Sequence, residues 1–234
     1  MMVALTGMLW RQHATRGRLL AAAGGGAVMV LLAVAILVGD GGGGAARGLV
    51  EEFGFALLVP VVAVVFATSV LGDPAEDGTL GHLLTTPQPR WRLATPALVA
   101  TIGTVVPMAT IPVVATAVLN GLEPDVVVGA GVATALVSAA YASLFTALGV
   151  RFRRALLFGL LYTAAWEGIV ARFGTGLARL SLRQYGLSVF DAIRGARPRG
   201  GGVEGPTAVV VLLAVVVVGA LLTTWLLRTH ESRA

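Results

Sequence analysis

The hydrophobic residues of this 234-residue chain form long runs separated by short polar stretches. Six runs approach the roughly 20 residues that a helix needs to cross a bilayer. The third run contains Pro96, Pro107 and Pro112, which a membrane helix tolerates as kinks. The pattern predicts an all-α integral membrane protein with six transmembrane helices, at about 19–38, 53–71, 94–118, 126–149, 155–170 and 207–227.

Composition agrees with this class. The chain is 56% hydrophobic and only 12% charged, whereas soluble domains carry about twice that charge. Every basic residue is arginine, so a lysine-dependent phosphate loop and lysine chemistry are excluded; the lack of cysteine excludes disulfides and thiolate metal sites. The histidines are scattered without metal-ligand spacing, at His13, His82 and His230. We therefore expect no catalytic residue, metal site or cofactor in this chain, and no nucleic-acid partner.

The arginines also predict an orientation. With both termini in the cytoplasm, most arginines lie on the inner side, and the two short outer loops hold only Arg47. The arginines between the fifth and sixth runs are an exception to this positive-inside rule. The opposite orientation would place Arg151, Arg153 and Arg154 outside in one tight turn, so the first orientation is favoured.

Four other segments carry predictions of their own. Residues 1–18 mix apolar residues with arginine and are expected to form an amphipathic helix along the membrane surface, in contact with lipid. Residues 39–44, rich in glycine, are expected to form a flexible outer linker. Residues 171–206 are predicted to form re-entrant helices that dip into the outer leaflet. Small residues spaced by four on the fourth run indicate close helix packing, at Ala135, Ala139, Ser143 and Ala147.

An acid near the end of the fifth run, Glu167, is costly at that depth and needs water or a partner. Arginines in the following segment can supply the partner, as a structural ion pair or as part of a substrate site. The residues expected in such an outer-vestibule polar cluster are Tyr162, Trp166, Glu167, Arg183 and Tyr185.

A polar island at residues 73–92 separates the second and third runs. Asp73 suits a helix N-cap, Pro74 suits the first helical position, and Glu76 completes a capping box. A short helix with one apolar stripe is therefore predicted, ending at the following prolines. Since so short a helix is marginal alone in water, the stripe implies a docking surface, formed by Leu80, Leu83 and Leu84.

The island's residues are Glu76-Asp77-Gly78-Thr79-Leu80, then Leu83-Leu84-Thr85-Thr86-Pro87 and Arg90. This run resembles the E-D-G-T-L-x-x-L-L-x-(S/T)-P-x-x-R signature between spans two and three of ABC-2 type permeases. A second likeness covers 166–168 and 180–185. The lysine that commonly follows the signature is absent. The resemblance implies a cytoplasmic coupling helix that contacts an ATPase through Asp73, Glu76, Asp77, Gly78, Thr79, Leu80, Leu83, Leu84, Pro87 and Arg90.

The same resemblance implies that residues 1–234 form one ABC-2 type transmembrane domain in a bacterial inner membrane. Such a chain is a permease subunit and not itself an enzyme. ATP and magnesium would be bound by two copies of a separate ATPase subunit, and a second permease copy, identical or paralogous, would complete the pathway. The expected activity is export of an amphipathic or hydrophobic drug, lipid or peptide.

Other functions stay open at this point. A haem-exporter-like permease has a similar loop between its second and third spans. An ion-coupled secondary transporter would need relay acids within the spans, and these are nearly absent. A membrane-embedded enzyme would need a hydrolase or metalloprotease motif, and neither G-x-S-x-G nor H-E-x-x-H occurs.

Overall fold

The computed structural model describes residues 6–10, 14–78, 89–152, 154–167, 178–199 and 202–231, and every regular element within these ranges is helical. Five helical stretches are long and apolar enough to cross a membrane. The predicted fifth span is a shorter apolar helix, Ala155–Ala165. The all-α fold with long apolar helices is therefore confirmed, and it is compatible with a membrane protein, but a sixth full-length span is not found among the described residues.

Eight α-helices, numbered α1 to α8, follow one another in the part of the chain that the structure describes. The second rod of the bundle combines α2 (Gly42–Gly48), a π-helical segment Leu49–Leu58, and α3 (Val59–Glu76), while α6 (Ala155–Tyr162) continues into a π-helical turn, Thr163–Glu167. A further helical piece covers 6–10, within the predicted amphipathic helix; the other residues of 1–13 lie outside the described part. The bounds are Arg16–Val38 for α1, Gly42–Gly48 for α2, Val59–Glu76 for α3, Trp91–Leu119 for α4, Pro124–Arg151 for α5, Ala155–Tyr162 for α6, Leu182–Ile193 for α7 and Gly205–Glu231 for α8.

The second rod begins earlier than its predicted span. It runs without interruption over Gly42–Ala75, so the predicted flexible linker shrinks to a turn at 39–41. Asp40 and Gly42 form this turn with φ of 52° and 68°, a left-handed geometry that suits Asp and Gly. The linker prediction is wrong from Gly42 onward because Ala46 is fully buried and Gly43 lies close to Leu122, so packing orders this glycine-rich turn.

The end of the same rod corrects the interpretation of Asp73 as a helix N-cap. Helix α3 continues through Asp73 and Pro74 to Glu76, and the N–H of Asp77 donates to the carbonyl of Asp73 at 2.9 Å. Gly78 follows with φ of 74°, the conformation that commonly ends a helix. Asp73 therefore lies in the last turn of the second rod and not in the first turn of a new helix. The helix that contains the second apolar run continues past the last hydrophobic residues and ends at Glu76.

Helix α5 packs against α3, α4, α7 and α8. A Cβ on Gly149 would lie 2.5 Å from the carbonyl oxygen of Thr68 on α3, so the two backbones touch here. On α8, a Cβ on Gly219 would lie 2.7 Å from the hydroxyl of Ser143. Ser143 also donates to the carbonyl of Val215 at 3.4 Å. The predicted small-residue packing on α5 thus has a partner in the same chain, α8.

Ion pairs identify the two ends of the bundle. At one end, called here the Asp73 end, Arg18 of α1 meets Asp73 of α3. At the other, the Glu51 end, Arg47 meets Glu123, and Glu51 meets Arg199. The first turn of α1 and the last turn of α3 therefore lie at the Asp73 end. The last turns of α5 and α8 lie there too, since Val150 and Leu227 belong to one buried cluster with Leu71 of α3.

Candidate functional sites at the two ends of the bundle

Two adjacent acids, Glu51 and Glu52, lie in the π-helical segment of the second rod. A π-helix has wider turns than an α-helix and is rare; short π-helical segments are frequent at functional sites. The segment is packed, because Val50, Gly54 and Phe55 are buried around the acids. The acids are consequently held in place by the rod and not by a mobile loop.

Glu51 and Asp191 share two arginines. The Arg199 guanidinium donates to both carboxylate oxygens of Glu51, with Nη2 2.9 Å from Oε1, and Nη2 lies 3.2 Å from Asp191 Oδ1. Arg194 Nη1 lies 3.7 Å from Glu51 Oε1 and 3.7 Å from Asp191 Oδ1. The side chains of Glu51 and Asp191 are only 13% and 1% exposed, so these charges depend on the arginines and not on water.

Arg183 extends this network to Glu52. Its Nη2 donates to Glu52 Oε1 at 2.8 Å, and the same atom lies 3.5 Å from the backbone carbonyl of Glu51. Three acids thus meet three arginines with no net charge. The group, called here the Glu51 cluster, fastens α7 and the residues after it to the second rod; its members are Glu51, Glu52, Asp191, Arg183, Arg194 and Arg199.

Burial and pairing shift two pKa values in the Glu51 cluster. Burial raises the pKa of Asp191 above its ordinary 3.8, and the charge of Arg199 only partly opposes this. The hydrogen bond to Glu51 raises the pKa of Arg199, which keeps this guanidinium charged. Asp191 therefore binds its proton more tightly here than in water, because burial disfavours the charged carboxylate.

The structure places the residues of the predicted outer cluster in several environments. Arg183 pairs with Glu52, and the Tyr185 hydroxyl donates to the carbonyl of Arg179 at 2.8 Å. Tyr162 packs edge-on against Phe145, with ring centroids 6.2 Å apart. The backbone of Trp166 and Glu167 belongs to the π-helical turn after α6, and their side chains lie outside the described part. The described contacts of Arg183 and Tyr162 involve different neighbours.

Sequence reasoning singled out Arg183 but missed the rest of the Glu51 cluster. One signal was present in the sequence: arginines between the fifth and sixth runs violated the positive-inside rule, so they needed acidic partners. Glu51 and Glu52 precede the second apolar run and were among the acids expected on that side. Asp191 and Arg194, three residues apart on α7, were a second signal, since this spacing brings side chains together on a helix.

At the Asp73 end, Arg18 and Asp73 form a two-pronged contact. Nη1 donates to Oδ2 at 2.8 Å and Nη2 to Oδ1 at 3.1 Å. This paired geometry joins the first turn of α1 to the last turn of α3. The contact connects a residue of the predicted coupling segment to another helix of the bundle.

Half of the predicted coupling segment lies outside the described part of the chain. Residues 79–88, which include Thr79, Leu80, Leu83, Leu84 and Pro87, lie outside the described part, as does the side chain of Glu76. Asp77 and Gly78 end α3, and Arg90 caps α4, its carbonyl accepting from the N–H of Ala94 at 3.0 Å. The predicted coupling helix itself therefore stays a prediction.

The described residues define a class and no more. Five long apolar helices form a bundle of the kind found in membrane-embedded proteins. Among the residues that the structure describes, no group of three or more histidine, aspartate or glutamate side chains is arranged to hold a metal ion. No protein-family model matches the chain, and a comparison with curated proteins finds no match.

Proposed function

We propose that this chain is the permease subunit of an ATP-binding cassette transporter, driven by separate ATPase subunits. The observation that carries the proposal is the position of the signature-like run Glu76–Arg90. It follows directly after the second long apolar helical stretch, where α3 ends at Glu76, and it precedes α4, which begins at Trp91. That is the place at which ABC-2 type permeases carry their coupling helix.

The lack of lysine, and hence of a Walker-type nucleotide site, supports the same proposal. A chain without lysine has no phosphate-binding loop of the Walker type, so ATP-driven transport requires a nucleotide-binding partner. A partner that changes shape with its nucleotide transmits that change through a docked segment as a coupling free energy. The Arg18–Asp73 contact lies at the base of this segment and ties α1 to α3, so that the two helices would move together.

In this proposal the Asp73 end faces the cytoplasm of a bacterial cell. Arginines near this end would then lie among lipid phosphates, as the positive-inside rule requires: Arg16, Arg18, Arg90, Arg92, Arg151, Arg154 and Arg228. The Glu51 cluster would lie at the outer surface, where its acids neutralise the arginines that break the rule. Two permease copies and two ATPase subunits would form the transporter, which would export an amphipathic or hydrophobic compound.

Co-purification tests the proposal. The tagged chain, extracted in mild detergent, is expected to recover an ATPase subunit encoded beside its gene. Leu83→Glu puts a charge on the predicted docking stripe and is expected to lower recovery about tenfold or more, equivalent to 1.4 kcal/mol. Leu180→Glu is the matched control, because Leu180 is 63% exposed and lies three residues before Arg183, which pairs with Glu52 at the Glu51 end.

The outcomes distinguish the proposed function from the assignment of the residues that contact the ATPase. If the parent chain recovers no nucleotide-binding ATPase, the proposed function is wrong. If the parent and Leu83→Glu recover equal amounts, with equal insertion into the membrane, the ATPase docks elsewhere and the assignment of residues 76–90 is wrong.

A further inference from the structure

A cavity of about 390 Å³ lies between α5, α6 and α8 towards the Asp73 end of the bundle. Its inner wall is formed by buried residues, among them Tyr141 and Phe145, which are 0% and 4% exposed. Its mouth is formed by partly exposed residues, Phe152, Phe158 and Leu222, at 38%, 49% and 39%. The cavity therefore extends from the outer surface of the bundle to the core of α5.

Aromatic rings form much of the cavity wall and contact one another. Tyr141 stacks on Phe145 with centroids 5.6 Å apart, and Tyr162 meets Phe145 edge-on at 6.2 Å. At the mouth, the rings of Phe152 and Phe158 are 4.9 Å apart. Rings that support one another keep the wall in place and offer apolar faces to an organic ligand.

Among the described residues that line the cavity, Arg151 is the charged one. Its guanidinium carbon lies 5.3 Å from the ring centroid of Phe152, which places the charge beside the mouth. No carboxylate of the described residues forms an ion pair with Arg151 within the distances that define the other pairs. An arginine beside an apolar cavity suits a carboxylate, sulfonate or phosphate, which its planar fork can bind with two hydrogen bonds.

We propose that this cavity binds an amphipathic anion with a single apolar chain, its chain against Tyr141 and Phe145 and its acidic head on Arg151. The volume lies near the lower end of the roughly 300–1,000 Å³ of ligand sites, which leaves room for one chain rather than two. The binding step does not depend on an ATPase. Where the proposed function also holds, single-chain amphipathic acids become the substrate class of the transporter.

Photolabelling tests the proposal directly. The purified chain in phosphatidylcholine nanodiscs is exposed to palmitate that carries a diazirine near its methyl end, and labelled positions are mapped by mass spectrometry. Labels are expected on the stretches of α5 and α8 that line the cavity. Arg151→Gln removes the charge and Leu222→Trp fills the mouth, and each is expected to lower this labelling about tenfold, the factor that 1.4 kcal/mol represents.

Matched variants separate the cavity from the lipid-facing surface. Arg228→Gln removes an exposed arginine of α8 that does not line the cavity, and Leu221→Trp adds the same ring at a 65% exposed neighbour of Leu222. Both are expected to label like the parent. If Arg151→Gln and Leu222→Trp also label like the parent, the cavity is not the binding site and the proposal is overturned.

Two further probes test the ligand chemistry. The corresponding diazirine alcohol has the same chain without the charge, and equal labelling by acid and alcohol would overturn the role of Arg151. A diazirine-bearing phosphatidic acid has an acidic head with two chains. If it labels the cavity and palmitate does not, the single-chain assignment is overturned; if palmitate labels more strongly, the assignment is supported.

Discussion

Glu51 accepts hydrogen bonds from Arg199 and lies near Arg194, so one carboxylate holds two arginines at the Glu51 end. Glu52, its neighbour in sequence, is 61% exposed and pairs with Arg183. Hydrogen bonds to charged groups contribute about 1.5–3 kcal/mol to the free energy of unfolding, whereas exposed ion pairs contribute about 0–1 kcal/mol. Glu51→Gln is therefore expected to lower the apparent Tm in detergent clearly more than Glu52→Gln. Equal shifts would contradict the central position of Glu51.

Asp191 gives the Glu51 cluster a pH dependence of a definite sign. Because its pKa is raised by burial, the folded chain binds this proton more tightly than the unfolded chain. Its contribution to stability is full below the ordinary 3.8 and is lost as the pH rises through the raised value.

Asp191→Asn should remove this contribution. The apparent Tm of the parent minus that of Asp191→Asn, measured at intervals between pH 4 and 8, is expected to fall as the pH rises. A difference that stays constant or rises with pH would mean that attraction by the arginines outweighs burial.

At the scale of helices, the apolar runs predicted the long helices well because a membrane helix needs little more than continuous apolar length. The third and fourth predicted spans match α4 and α5 to within a few residues. The second rod was predicted too short, since four of the seven residues of Gly42–Gly48 are glycine, which disfavours a helix. Packing of Ala46 and Val50 decides its structure, and packing is not visible in a local pattern.

The charge cluster was harder to predict for a related reason. Glu51 and Arg199 are separated by 148 positions, and no local spacing joins them. Arg183 was named as one of three arginines that could pair with Glu167; the structure shows Arg183 paired with Glu52, and the side chain of Glu167 lies outside the described part. Hydropathy predicts which polar residues lie on the same side of the membrane. Which of them form ion pairs depends on how the helices pack.

The crossing of α3 and α5 offers a test at the same scale. A Cβ on Gly149 would meet the Thr68 carbonyl at 2.5 Å, so Gly149→Ala must push the helices apart. Overpacking of this kind costs about 1–3 kcal/mol. Gly103 of α4 is the control, since a Cβ there meets nothing within 4 Å and alanine favours helix by up to about 1 kcal/mol. The apparent Tm should fall for Gly149→Ala and hold or rise for Gly103→Ala; the reverse order would contradict the described crossing.

For the molecule as a whole, the second rod connects the two candidate sites. It carries Glu51 and Glu52 near its first turns and Asp73 in its last. In the proposed transporter, a force applied at residues 77–90 would act on the end of this rod and reach the Glu51 cluster through continuous helix. The cavity beside Arg151 lies at the same end as the proposed ATPase contact, where movement of α5 and α6 would change its mouth.

In the proposed transporter, residues 76–90 contact an ATPase. A photoreactive amino acid placed at position 83 in living cells tests this contact, with the same amino acid at position 118, a 58% exposed residue near the Glu51 end, as control. We expect irradiation to cross-link position 83, and not position 118, to a subunit that binds ATP. Cross-linking of position 83 only to lipid or to a second copy of the chain would contradict it.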